Sequence, residues 1–239
     1  MRRIVVLVAS ALVLAACGGG NEKTEPAATA STTTAAAATT TTAVNVAADK
    51  AQAATLLLRS SDLPGWKATP DQKDPADKAF DDQLAACVGR PSPSTYTTAS
   101  ADSPDFSMGN AEVSSQAQLV RTVEDFNADV AAVRGPKYAP CVRSGLTKFL
   151  PRQLPAGASL QSVAVVRLPV ARYGEFSTGF RATIKLLLQG QPASVYQDAV
   201  LLGKGRVELT ASFSNLGRPF DPALEQALVA KLSARLEAA

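Results

Sequence analysis

The sequence predicts an α+β fold, a twisted antiparallel sheet of five to six strands with helices packed on it. Three observations carry this. Phe176, Thr178, Phe180, Ala182, Ile184, Leu186 and Leu188 alternate with mostly polar partners, so one strand face is buried and the other wet. Gln189-Gly190-Gln191-Pro192 and Gly203-Lys204-Gly205 are short turn segments between the last strands, which implies a meander. Leu224, Leu228, Leu232 and Leu236 form one stripe of a closing helix, started by Asp221-Pro222 as N-cap and first helical residue.

The other elements follow in order. Ala47 to Ser60 reads as a helix, broken by Ser61-Asp62-Leu63-Pro64-Gly65-Trp66, where Pro-Gly suits a type II turn. Ala76 to Cys87 is a second helix with Phe80, Leu84 and Cys87 on one face, stopped by Gly89 and Pro91. Ser94 to Ala99 and Ala111 to Leu119 read as strands. Val123, Phe126, Val130 and Val133 mark a third helix, and Tyr138, Cys141, Val142, Leu146 and Phe149 a fourth. Four strands follow, over Ser159–Val170, Phe176–Leu188, Ala193–Leu202 and Val207–Phe213. Only 5% of residues are aromatic, so the core must be mainly aliphatic. Residues 47–239 are expected to form one domain.

The N-terminus reads as an address. Met1-Arg2-Arg3 is a short positive segment, and Ile4 to Ala16 run without a charge. That run is too short to span a bilayer and has the size of a signal-peptide core. It ends in Leu14-Ala15-Ala16-Cys17, which resembles the lipobox of bacterial lipoproteins. The expectation is cleavage after residue 16 and diacylglycerol on Cys17. Acyl chains contribute about 0.8 kcal/mol per buried methylene, and two of them anchor stably. An ordinary secretory signal is the competing reading. The expected location is the extracytoplasmic face of the cell membrane. Residues 17–46 are then a disordered tether, since Ala27 to Ala43 contain only Ala, Ser and Thr and cannot offset their ordering entropy.

Cleavage removes Arg2 and Arg3, leaving 22 Lys and Arg against 21 Asp and Glu. A near-neutral chain lacks the concentrated basic face that nucleic acid requires. With Cys17 lipidated, Cys87 and Cys141 remain. In an oxidising compartment an even pair is most simply a disulfide, with two buried free thiols as the alternative.

The helix before Asp62-Leu63-Pro64-Gly65-Trp66, the stretch around Cys141, and Gly205-Arg206-Val207-Glu208-Leu209 before a Leu-rich helix form a recognisable layout. It resembles a family of uncharacterised secreted lipoproteins of actinobacterial, mycobacterial type. The domain of that family is similar to the extracellular sensor domain of mycobacterial Ser/Thr kinases and to PsbP-like domains. The resemblance covers most of residues 47–239 and implies a sensor-like or binding domain. It carries over no functional residue.

Catalytic patterns are sparse. The chain has no histidine, which removes Ser-His-Asp, Cys-His and His-based metal sites. No Gly-x-Ser-x-Gly elbow or Ser-x-x-Lys dyad occurs, and Gly203-Lys204-Gly205-Arg206 lacks the pattern of a phosphate loop. Asp71, Asp74, Asp77, Asp81 and Asp82 read as a solvated helix face, without calcium-loop spacing. No cofactor or metal is expected. Trp66 and Tyr196 are the candidate ligand-lining residues, with Tyr96 and Tyr138 as companions. The competing reading makes Trp66 a lid on the core. Arg181 and Lys185 share the polar face of the longest strand, where a wet face is the default. The reading is a non-enzymatic envelope lipoprotein whose domain binds a lipid-like amphipathic ligand or an envelope protein. The alternative is a structural scaffold without a ligand pocket.

Overall fold

The computed structural model describes residues 45–72 and 74–239, so Cys17, the lipobox and nearly all of the tether lie outside it. The helices are α1 (Val46–Leu56), α2 (Pro75–Val88), α3 (Val123–Arg134), α4 (Tyr138–Gln153) and α5 (Pro222–Ala238). The strands are β1 (Lys67–Thr69), β2 (Thr97–Asp102), β3 (Asp105–Met108), β4 (Ala111–Val120), β5 (Ala158–Leu168), β6 (Phe176–Leu188), β7 (Gln191–Lys204) and β8 (Val207–Leu216). The class is α+β, as the alternation predicts. Among the described residues the sheet has eight strands rather than five to six, because β1 and β3 are three- and four-residue pieces too short to show a period.

The order is β1-β3-β4-β8-β7-β6-β5, with β2 also on β4, and every pairing is antiparallel. After β4 the chain runs through α3 and α4 to the far edge. It then walks back as a meander until β8 pairs with β4, Ala111 opposite Asn215 and Leu119 opposite Val207. Strands β2 and β3 share one edge of β4 because Ser103-Pro104 interrupts the ladder. Proline has no N–H to give. Ser103 fills the gap, donating N–H to Ser115 O at 2.8 Å and accepting from Ser115 N at 2.8 Å.

Helices cover both faces. On one face α1 and α5 bury Val113, Ala117, Leu119, Leu209, Ala211 and Phe213 against Leu56, Leu228 and Leu232. On the other, α2 and α4 cover Ala182, Ile184 and Leu186 with Phe80, Leu146 and Leu150. There α3 brings Phe126 and Val133 onto Val120, Phe176 and Phe180.

Two glycines set how closely the helices approach. A Cβ at Gly145 of α4 would come within 2.6 Å of Phe80 on α2. A Cβ at Gly203 of β7 would fall inside contact distance of the Phe126 ring on α3. Small residues here let α2 reach α4 and let α3 sit directly on β7. Cys87 and Cys141 form a disulfide between α2 and α4, with Cα atoms 5.8 Å apart.

Buried carboxylates tie α1 and the segment after it to the β7–β8 turn and to α5. Asp49 receives both Arg206 Nη atoms, at 3.1 and 2.7 Å, and Thr98 Oγ1 at 2.5 Å. Asp62 receives Arg235 Nη2 at 2.9 and 2.8 Å and the Arg59 N–H at 2.9 Å. Burial pushes both carboxyls up, but hydrogen bonds from Arg206 and Thr98, and from Arg235 and Arg59, outweigh it. Both end below the usual carboxylate range. The Asp62-Leu63-Pro64-Gly65-Trp66 segment is thus a structural latch. Gly65 takes φ 82° in its turn, and Trp66 packs 6.2 Å from the Phe220 ring.

Candidate functional site

The helix layer over β4 and β8 does not close fully. Along this face β4 offers Gln116 and Gln118, and β8 offers Glu208 and Thr210, where a packed core would place large apolar side chains. Helices α2 and α3 stand on either side. A cavity of about 140 Å³ remains, walled on its apolar side by Leu84, Val88, Phe126, Val130 and Phe176.

Several restraints hold its walls. The disulfide and the Gly145–Phe80 contact place α2. Thr122 caps the N-terminus of α3, accepting from Asp125 N at 3.1 Å. Arg167 of β5 caps its other end, donating to Val133 O at 2.7 Å and Arg134 O at 2.8 Å. Terminal carbonyls of a helix have no partner within it, so a cation there stabilises the end. Asp129 is thereby held above the sheet.

The polar end of the cavity gathers Arg90, Tyr96, Gln118, Asp129 and Glu208. Asp129 Oδ1 accepts from Arg90 Nε at 2.7 Å and from Tyr96 Oη at 3.0 Å. Arg90 also lies over the Tyr96 ring, 5.0 Å from its centroid. Glu208 sits opposite Gln118 in the β4–β8 register, and Gln118 Nε2 donates to Glu208 Oε2. Glu208 also lies within hydrogen-bonding reach of Asp129. Burial, then the neighbouring charge of Asp129, raises its carboxyl to about 8. The neutral form of Glu208 is therefore favoured at pH 7. The Tyr96 and Tyr138 hydroxyls are also pushed up, chiefly by burial.

Three buried oxygens here accept no hydrogen bond: Glu208 Oε1, Asp129 Oδ2 and Gln118 Oε1. Such a group costs about 1–3 kcal/mol. A proton on Glu208 shared with Asp129 meets two of them and leaves Gln118 unmet.

Tyr96 and Tyr138 line this cavity, but Trp66 and Tyr196 do not. Trp66 is packed against the core beside Phe220, and Tyr196 lies half-buried on the opposite sheet face, two residues from Asp198. Arg181 does not face open water; it clamps Asp198. The aspartate-rich second helix is only partly solvated. Asp77 and Asp81 are buried, while Asp82 pairs with Lys78 at 2.5 Å. Glu208, Asp129 and Arg90 were not candidates from sequence. Their one visible signal is that Glu208 belongs to the Gly205–Leu209 segment already singled out.

Among the described residues no group of three or more His, Cys, Asp or Glu side chains is placed to hold a metal ion. No helix among them is long and apolar enough to cross a membrane.

No known protein family matches the chain, and no curated protein matches it at a significant level. Among solved structures, a weak neighbour is the extracellular domain of the Ser/Thr kinase PknH from Mycobacterium tuberculosis. It is 12% identical with a TM-score of 0.45, over 80% of this chain and 97% of that one. At that level of likeness no residue role passes between the two.

Proposed function

We propose that this chain is a cell-envelope lipoprotein, anchored through Cys17, whose folded part is a non-enzymatic binding domain for a small amphipathic ligand. The observation that carries the binding reading is the cavity of about 140 Å³, apolar on one side with a buried acid and an arginine at its other end. Ligand sites combine an apolar wall with a few placed polar groups. A scaffold without a ligand has no use for unmet acceptors in its interior, since filling the space with aliphatic side chains would stabilise it.

The non-enzymatic reading is supported by what the chain offers for chemistry. It has no histidine, and Cys87 and Cys141 are joined to each other. The lipid anchor is supported by the order of positive segment, short apolar run and Leu14-Ala15-Ala16-Cys17. An envelope location also accords with the disulfide.

Native mass spectrometry of the protein taken from its own membrane tests the binding reading. A small adduct lost on denaturation is the expected result. A bare protein mass across independent preparations overturns it. For the anchor, Cys17→Ala should move the protein from the membrane to the soluble fraction, and continued membrane retention refutes that assignment.

A further inference from the structure

We propose that the cavity is a site for a primary ammonium group on a short alkyl chain, with Glu208, Asp129 and Gln118 as its acceptors. This rests on the binding reading above and names the ligand class.

The argument starts from hydrogen-bond donors. Several donors at the polar end are already committed: Gln118 Nε2 to Glu208, Arg90 Nε and Tyr96 Oη to Asp129 Oδ1, and Arg90 Nη2 to Asp125 O. Apart from the proton that Glu208 shares with Asp129, nothing donates to Glu208 Oε1, Asp129 Oδ2 and Gln118 Oε1, and all three are acceptors. The fitting guest is therefore rich in donors and poor in acceptors. An alkylammonium has three N–H donors and no acceptor. An alcohol brings one donor and keeps lone pairs, and a carboxylate brings none when ionised.

Charge gives the same answer. In the Arg90–Asp129–Glu208 group, the empty site holds one cation, one carboxylate and one neutral acid. With an ammonium bound, Glu208 releases its proton and the group holds two cations and two carboxylates. The guest replaces the proton and the group stays neutral, which a low-dielectric site requires. The other titratable groups facing Glu208 are Tyr96 before β2, Tyr138 on α4 and Asp81 on α2. Among the described residues no second lysine or arginine lines the cavity to repel a cation.

Size and lining set the rest of the ligand. An apolar cavity near 150 Å³ takes benzene, so about 140 Å³ suits a short alkyl chain. Val88, Phe126 and Val130 would wrap its methylenes.

The test is calorimetric titration of the full-length protein with n-butylamine, n-butanol and butyrate at pH 7, 8 and 9. Butylamine should bind at least tenfold more tightly than butanol, and butyrate weakest. Because binding expels a proton from a group near 8, butylamine affinity should rise about tenfold from pH 7 to pH 9, while butanol affinity stays flat. Glu208→Gln should abolish both the amine preference and its pH dependence. An unchanged circular dichroism spectrum shows that the variant is folded. Equal affinity for amine and alcohol, a flat amine profile, or an unchanged Glu208→Gln variant overturns the ammonium assignment and leaves the cavity as an apolar site. If none of the three probes binds, the binding reading itself falls.

Discussion

Each face of the sheet carries an Arg–Asp–Glu group, and the two are wired differently. On the α5 side, Arg181 grips Asp198 with Nε on Oδ1 at 2.6 Å and Nη2 on Oδ2 at 2.5 Å, and Glu225 of α5 completes the group. Both Asp198 oxygens are met, and the residue is 0% exposed. On the α3 side, Arg90 reaches only Oδ1 of Asp129, leaving Oδ2 and Glu208 Oε1 with no donor but the Glu208 proton beside a cavity. Each glutamate is raised by burial and then by its aspartate, to about 7 for Glu225 and about 8 for Glu208. A raised carboxyl alone therefore does not mark a site. What separates the two groups is whether the arginine fork engages both oxygens of its aspartate and whether space adjoins those left over.

Breaking the closed group should have the largest effect. Arg181→Met strands Asp198 without its cation, and urea unfolding should show a loss of about 3–5 kcal/mol. A loss below about 1 kcal/mol would mean that water already reaches Asp198, and the contrast would collapse. Next comes the disulfide, which braces only the cavity side. Replacing Cys87 and Cys141 by alanine should cost about 2–4 kcal/mol in the same assay. Thiol labelling of the unreduced protein should find both cysteines blocked.

Glu208→Gln probes the open group directly. A carboxyl raised in the folded state contributes stability below its unfolded value, and that stability is lost as pH rises through about 8. The variant, which cannot ionise, should gain on the wild type by about 2 kcal/mol between pH 5 and pH 7. The ceiling is about 1.4 kcal/mol per pH unit, and titration shared with Asp129 lowers it. Glu225→Gln should show the same sign with a smaller gain that levels near pH 7. A larger gain at Glu225 than at Glu208 would reverse the order in which the two carboxyls are raised.

Much of this architecture was legible in the sequence, because β6, β8 and α5 advertise one buried stripe each. Short strands were not, since Lys67–Thr69 and Asp105–Met108 are defined by their partners across the sheet. The site was not legible for a related reason. Alternation in β8 marks Val207, Leu209, Ala211 and Phe213 as buried and assigns Glu208 to the wet face. Whether that second face is wet depends on α2 and α3, which come from elsewhere in the chain. Local pattern shows which face is more apolar and cannot show that the other is roofed. Arg181 was misread as solvated on the same grounds, since Asp198 lies across a strand pair rather than nearby in sequence.

The return of β8 to β4 has a consequence for how the molecule is made. The central strand pair joins segments that leave the ribosome far apart in time, and the latches Asp49–Arg206 and Asp62–Arg235 span 157 and 173 residues. Non-local pairings of this kind slow folding, because loop closure must be met before contacts reward it. A chain interrupted before Val207 would have helices and a partial meander but no middle. The polypeptide therefore stays unfinished, with apolar side chains such as Val113 and Leu119 of β4 lacking α5 over them, until residues 207–238 arrive.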